Sequence, residues 1–228
     1  MLKHVSFEEC LRPILSSEPG ALTRKLPKRS VIYTPGSHDD HVYFIAAGLV
    51  KTVMHSQSGK ECLLNVYTPN DIFGESCFSG RMRSETAIAM SDAVLKQIPR
   101  RRFLALINET GLAGELVHYL ARRLAEHEQT ITDFVTVNCE QRLAAVLLRL
   151  WQKAGTPESS YLMQRISHQE LSQIVGTTRP RISEFLHRFR MRGLIEVTAD
   201  SRIRIREHRL REYLETDQDE LPLEACAS

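Results

Sequence analysis

The sequence predicts an α+β chain in three successive parts: a roll of short strands, one long helix, and a winged helix-turn-helix. Three observations predict it. Residues 24–100 are short runs of β-branched and aromatic residues separated by turn formers. Residues 112–137 contain no proline and repeat aliphatic residues on one helical face. Residues 166–206 hold two helix starts on either side of a glycine, then a hairpin pattern rich in arginine.

The first strand candidates are Val31–Tyr33, Val42–Ile45, Leu49–Val53 and Cys62–Val66, and a later pair follows at Ser84–Met90 and Ala93–Pro99. Pro35-Gly36, Gly48, Ser58-Gly59-Lys60 and Pro69-Asn70-Asp71 supply the turns. Short strands at this spacing suit a sandwich or a barrel-like roll.

The pattern changes near Arg100. Leu116, Leu120, Leu124, Ile131 and Val135 then recur on one face of a helix of about 25 residues, or about seven turns. That stripe is a candidate coiled-coil seam between two copies, broken midway by His127 and Glu128. Asn138, with Gln141 three residues on, forms a capping box for the next helix. This helix runs through Leu143, Val146, Leu147 and Leu150 to a stop at Gly155-Thr156-Pro157, so a boundary falls near Val137-Asn138.

Ser167 and Glu170 can cap a short helix reciprocally. Gly176 stands where the chain must turn sharply. Thr178 then caps a second helix, and Pro180 lies in its first turn, where a missing N–H costs nothing. Ile182, Phe185, Leu186 and Phe189 point inward. Two short helices about a tight glycine turn make a helix-turn-helix, whose second helix enters the major groove with its N-terminal residues on base edges. Those residues are Thr178, Arg179, Arg181, Ser183 and Glu184. Arginine suits guanine O6/N7, and glutamate can accept from cytosine N4. Arg188, Arg190 and Arg192 follow as phosphate neutralisers or a solvated face. Leu194–Val197, a turn at Ala199-Asp200-Ser201, and Arg202–Arg206 read as the wing.

Composition limits the function classes. The 228 residues include 30 Lys/Arg, 28 Asp/Glu and 42% hydrophobic residues, enough for one or two cores and too aliphatic for a disordered chain. The most apolar stretch, Val42–Val50, is about half a membrane span. The start MLKHVSFEEC has no apolar run of the secretory kind, so a cytoplasmic location and no membrane partner are expected. Cys10, Cys62, Cys77, Cys139 and Cys226 are scattered with no CxxC pair, which suggests reduced thiols rather than a disulfide frame or a zinc site. Charge is uneven. Residues 138–212 carry 14 Lys/Arg against 8 Asp/Glu, whereas the last 16 residues carry five acids and no base. A basic block coinciding with a helix-turn-helix points to double-stranded DNA. The acidic tail is expected to be disordered.

Asp71–Ser76 followed by Arg83–Ala87 has its own chemistry. Gly74 lets backbone approach a ligand, and a helix start beyond it offers N–H groups to an anion. Arg83 suits bidentate pairing with a phosphate, and Glu75 can accept from sugar hydroxyls. Alone, these are also the residues of an ordinary surface turn.

Over about residues 24–215 the chain resembles the CRP/FNR family of bacterial transcription regulators. The resemblance rests on YTPGSHDDHVYFIAAGLVKTV, FGES…RSETA, ARRLAEHEQ and ISHQELSQIVGTTRPRISEFL, in the right order and spacing. It implies a cyclic-nucleotide-binding β-roll over 1–110, a dimerisation helix over 111–137 and a winged helix-turn-helix over 138–216, which leaves the acidic tail over 217–228. It also implies a cyclic-AMP cassette at Gly74, Glu75, Arg83 and Ser84, with Ser76 beside them, although the stretch from Glu75 to Arg83 is shorter than in the best-known cyclic-AMP receptor. The threonine-serine pair that holds adenine in tight binders is His127 and Glu128 here. Glu128 could accept from a purine edge or exclude purines. Cyclic AMP, another nucleotide or small anion, and no obligatory ligand all stay open. The resemblance places phosphate contacts at Ser167, His168 and Gln169. Pro180 and Glu184 depart from the usual recognition helix, so the family's operator does not carry over.

No iron–sulfur cluster is expected, because only Cys10 lies where such members carry a cysteine cluster. No haem or metal is expected, because no spacing selects a ligand among His38, His41, His118, His127 and Cys77. Thiol oxidation at Cys62 or Cys77 stays open. The expectation is a homodimeric, sequence-specific DNA-binding regulator that meets two half-sites, engages RNA polymerase, and is switched by a cyclic nucleotide in the roll. The alternative is a constitutive regulator whose roll is only a dimerisation platform or senses a different signal. No HExxH, P-loop or nucleophile–base spacing argues for an enzyme.

Overall fold

A computed structural model describes residues 7–57, 59, 61–154, 166–197 and 203–216. The chain divides into two compact units, Met1–His127 and Glu128–Ser228. The turns expected at Gly155-Thr156-Pro157 and Ala199-Asp200-Ser201, and the acidic tail, lie outside the described residues, as do Ser58 and Lys60.

Among the described residues of the first unit, eight strands form two four-stranded antiparallel sheets. They are β1 (Leu22–Leu26), β2 (Val31–Tyr33), β3 (His41–Ala47), β4 (Val50–His55), β5 (Glu61–Tyr67), β6 (Ile72–Phe73), β7 (Thr86–Ala89) and β8 (Ala93–Pro99). One sheet has the order β1-β8-β3-β6 and the other β2-β7-β4-β5. Between them lies an aromatic core of Tyr33, Tyr43, Tyr67 and Phe73 with Ile45, Val50 and Leu95. Val42, Phe44, Ile72 and Ile98 face the other way, into a second core made with helices. β3 is therefore buried on both faces, which is why Val42–Ile45 reads as a continuous apolar run instead of alternating.

The helical side of that second core holds elements the sequence patterns did not announce. Helix α1 (Phe7–Ser17) inserts Phe7, Leu11 and Leu15, and α2 (Arg100–Glu109) inserts Phe103, Leu106 and Ile107. Pro13 inside α1 breaks the helical signal, since a proline there removes a backbone donor.

Helix α3 (Ala113–Thr136) runs through the division between the units. The single face expected of it splits in two. Leu116 is buried and Leu120 packs partly against the core of α1 and α2. Val117, Leu124, Ile131 and Val135 are instead exposed, at 67%, 60%, 65% and 71%. Steps of four residues advance about 40° around a helix of 3.6 residues per turn, so residues 116 and 124 no longer share a face. Val117, Leu124 and Ile131 are seven apart, the repeat of a coiled-coil seam.

The second unit contains α4 (Cys139–Ala154), α5 (His168–Val175), α6 (Arg179–Met191), the hairpin β9 (Ile195–Val197) and β10 (Ile203–Ile205), and α7 (Glu207–Thr216). The capping box at the start of α4 forms: Asn138 Oδ1 accepts from the Glu140 and Gln141 amides, both at 2.9 Å, while Gln141 Oε1 accepts from the Asn138 amide at 3.1 Å. Buried Arg142 ties the helix ends together. It donates to the carbonyls of Val137 (2.8 Å), Phe134 (3.2 Å) and Val175 (3.0 Å). Cys10, Cys62 and Cys77 are free thiols.

Candidate functional site

The cassette lies in the first unit. Gly74 has φ +85°, and a Cβ there would sit 3.0 Å from the His41 carbonyl and 3.1 Å from Arg83 Nη2. Glycine is thus required by conformation and by space. Just after it a 3-10 helix, Glu75–Ser79, begins. Arg83, on the segment between this helix and β7, is 2% exposed. Its Nη1 donates to the Gly74 carbonyl (2.6 Å) and Ser76 Oγ (2.8 Å). Its Nη2 donates to the His41 carbonyl (2.6 Å) and pairs with Asp39 Oδ2 (3.4 Å). The guanidinium lies 4.3 Å above the Tyr33 ring. Only Nε of this group is buried with no partner.

A second acid closes the cassette. Glu85 accepts from Ser84 Oγ at 2.8 Å, Tyr33 OH at 3.0 Å and Ser76 Oγ at 3.4 Å. Asp39 accepts from Tyr43 OH at 2.9 Å and lies 2.6 Å from His41 Nδ1. Burial, with Glu85 and Asp39 close by, pushes the Tyr33 and Tyr43 phenols far above their ordinary range, so both remain neutral donors.

Glu75 is engaged by α3. Arg123 Nη2 lies 3.3 Å from Glu75 Oε1 and donates to Tyr67 OH at 3.2 Å. Burial works against the charge on Arg123, but Tyr67, Tyr119 and Glu75 outweigh it and hold its pKa above the ordinary value. The Tyr67 phenol is pushed up to about 12, chiefly by burial. Burial likewise pushes the Cys77 thiol up to about 11, so it is a poor candidate for oxidation chemistry.

The structure thus brings Gly74, Glu75, Ser76, Arg83 and Ser84 together. His127 and Glu128 are both exposed on α3. Asp39, Glu85 and Arg123 were missed by sequence reasoning. Asp39 and Arg123 meet their partners from elsewhere in the fold, and Glu85, although next to Ser84, carries no local signal of its bonds to Tyr33 and Ser76. Among the described residues no group of His, Cys, Asp and Glu is arranged to hold a metal ion, and no helix is long and apolar enough to cross a membrane.

In the second unit, Ser167 and Glu170 complete their capping box. Gly176 has φ +72°, and a Cβ there would lie 2.7 Å from a ring carbon of Phe134. Thr178 takes the N-cap position of α6 in extended conformation, without the side-chain capping bond expected of it. Thr178, Arg179, Arg181, Ser183 and Glu184 are all exposed, as are Ser167 and Gln169, while His168 is half-buried. Arg181 lies over the Phe185 ring. Ser183 Oγ donates to the Arg179 carbonyl (3.3 Å) and lies 2.9 Å from His168 Nδ1. Arg188, expected among the phosphate neutralisers, pairs with Glu140 at 2.5 Å and Glu184 at 2.7 Å. These acids, one of them on α4, compete with phosphate for its charge. In the hairpin, Ile205 is buried and Arg204 exposed, and Arg206 pairs with Glu196.

Two sheets closed over an arginine-centred cassette, followed by a helix-turn-helix and hairpin, define a DNA-binding regulator of two units. The cyclic nucleotide-binding domain model matches residues 23–110, and the Crp-like helix-turn-helix domain model matches residues 141–213. The CRP-like cAMP-activated global transcriptional regulator of Mycobacterium tuberculosis is 30% identical over 192 residues, covering 79% of this chain and 85% of the relative. The cyclic AMP receptor protein of Thermus thermophilus is 30% identical over 176 residues, covering 76% of this chain and 79% of that protein. The fold is also that of FixK2 from Bradyrhizobium japonicum (TM-score 0.74, 19% identity, 84% of this chain and 96% of that one). The chain belongs to the CRP/FNR family of transcription regulators.

Proposed function

We propose that the chain acts as a homodimeric, sequence-specific DNA-binding transcription regulator. The observation that carries this reading is α6, whose first turn presents exposed Arg179 and Arg181 on a helix-turn-helix held by a capping box and the Gly176 turn. Arg179, Arg181, Ser183 and Glu184 would read base edges. Thr178 would join them, Ser167, His168 and Gln169 would hold the backbone, and Arg188 would contribute only by exchanging its acidic partners for phosphate. The exposed stripe of Val117, Leu124 and Ile131 supports pairing of two copies along α3. Such a dimer meets two half-sites about one helical turn apart and acts on transcription through RNA polymerase.

The roll has two readings. The names of the Mycobacterium and Thermus relatives favour a cyclic-AMP switch. The internal engagement of Arg83 and Ser84 favours the second reading, a regulator that binds DNA without a cyclic nucleotide.

The test is selection of binding sites from random DNA, followed by fluorescence anisotropy on the selected duplex and light scattering for mass. The expected result is a two-part site, a dissociation constant of about 10 nM or tighter, and a particle of twice 26.0 kDa. Recovery of no sequence, or a monomer at working concentration, would overturn the reading.

A further inference from the structure

A cyclic nucleotide carries one negative charge, on its phosphodiester. A domain that accepts it must present cationic or hydroxyl donors whose acceptors the ligand can replace. Between residues 23 and 110, Arg83 is the one fully buried base among the described residues. Four of its contacts are already made: to two backbone carbonyls, to Ser76 and to the carboxylate of Asp39.

The hydroxyls beside it are also engaged. Ser76, Ser84 and Tyr33 all donate their hydroxyls to Glu85, within 2.8–3.4 Å. An acid thus stands where these donors converge, one hydroxyl away from the arginine. Asp39 and Glu85 hold carboxylates against Arg83 and its neighbouring hydroxyls, and Glu75 faces Arg123. A further anion entering there would add like charge in a partly buried setting, where electrostatic repulsion is much stronger than in water. The groups present do not fit a cyclic phosphate in this arrangement.

We propose that Glu85 is a specificity-determining residue of the roll: its carboxylate occupies the cassette hydroxyls and excludes anionic phosphodiesters. This deepens the nucleotide-independent form of the regulator reading and rests on it. One donor argues that the exclusion is reversible by mutation. Nε of Arg83 is buried and has no partner, so an acceptor placed there gains a hydrogen bond that nothing else now makes. With the Glu85 charge removed, a phosphodiester oxygen can take Nε, and the Ser84 hydroxyl is released to donate to a second oxygen.

The experiment is calorimetric titration of cyclic AMP and cyclic GMP into the full-length wild type, Glu85→Gln and Glu85→Ala. Glu85→Gln keeps the size of the side chain and removes its charge. It serves if Glu85→Ala fails to fold, and a thermal melt of each protein establishes that it has folded. The expected result is binding by wild type no tighter than about 1 mM, and a gain of about 10-fold or more in Glu85→Gln, since tenfold corresponds to about 1.4 kcal/mol and is modest for one neighbouring charge. Micromolar binding by wild type would overturn the proposal, and so would folded variants that bind no better than wild type. Anisotropy of the same wild-type sample on its selected DNA, without nucleotide, separates this from the broader reading. Loss of DNA binding would sink the nucleotide-independent regulator, whereas the titrations alone decide the role of Glu85.

Discussion

Replacing Arg142 with methionine should weaken the DNA-binding unit severely. Arg142 is 6% exposed, and its guanidinium donates to the carbonyls of Val137, Phe134 and Val175, at 2.8, 3.2 and 3.0 Å. Those carbonyls lie in or just after the last turns of α3 and α5, where helices leave acceptors without intrahelical partners. A hydrogen bond from a charged donor contributes about 1.5–3 kcal/mol, so three amount to about 4.5–9 kcal/mol gross. Burial opposes this, since it lowers the pKa of Arg142, and methionine recovers part of the lost packing. A net loss of about 3–5 kcal/mol remains, comparable with breaking a buried ion pair. The sole tryptophan, Trp151, sits in α4, so its fluorescence during urea unfolding reports on this unit. With a slope of about 1–3 kcal/mol per molar, the midpoint should fall by at least about 1 M. Arg142→Lys, which keeps the charge but loses the fork, should fall between. A shift below about 0.3 M with unchanged slope would show that the helix ends are held by other contacts and refute the reasoning.

Other consequences can be measured separately. Gly176→Ala should cost about 1–3 kcal/mol by the same fluorescence assay, because φ is +72° and the new Cβ meets Phe134 at 2.7 Å. Arg179→Ala and Arg181→Ala should each weaken binding to the selected operator by about 1–3 kcal/mol and relax its sequence at the contacted base, read by competition anisotropy. Arg204→Ala should instead weaken all duplexes alike and reduce the salt slope by about one. Leu124→Glu and Ile131→Glu, placed on the exposed stripe of α3, should yield a monomer by light scattering while the roll keeps its melting temperature.

The helix-turn-helix was legible because its signals are local. Ser167 and Glu170 lie three residues apart, Gly176 ends α5, and Pro180 opens α6, and each stands where the sequence placed it. The longer strands β3, β4 and β5 were legible for the same reason. Helix α1 was obscured by Pro13, although Phe7, Leu11 and Leu15 keep helical spacing. The cassette was legible only in its membership. Arg83 could be nominated for a phosphate, but its pairing with Asp39, 44 residues earlier, follows from the meeting of two loops. Arg188 similarly looked available for DNA until Glu140, 48 residues before it, was found against it on α4. Side-chain type announces what a group can bond, whereas its partner depends on the tertiary fold.

The burial of β3 on both faces places a constraint on its length. Tyr43 and Ile45 belong to the core between the sheets, and Val42 and Phe44 to the core beneath the helices. Successive side chains point to opposite faces, so deleting one residue from this strand would send each to the wrong compartment. Hydrophobicity would be unchanged, and no surface strand would notice the loss as much. Insertions and deletions should therefore be purged from positions 42–45 even where conservative aliphatic exchanges are accepted: evolution can alter the composition of that wall more easily than its parity.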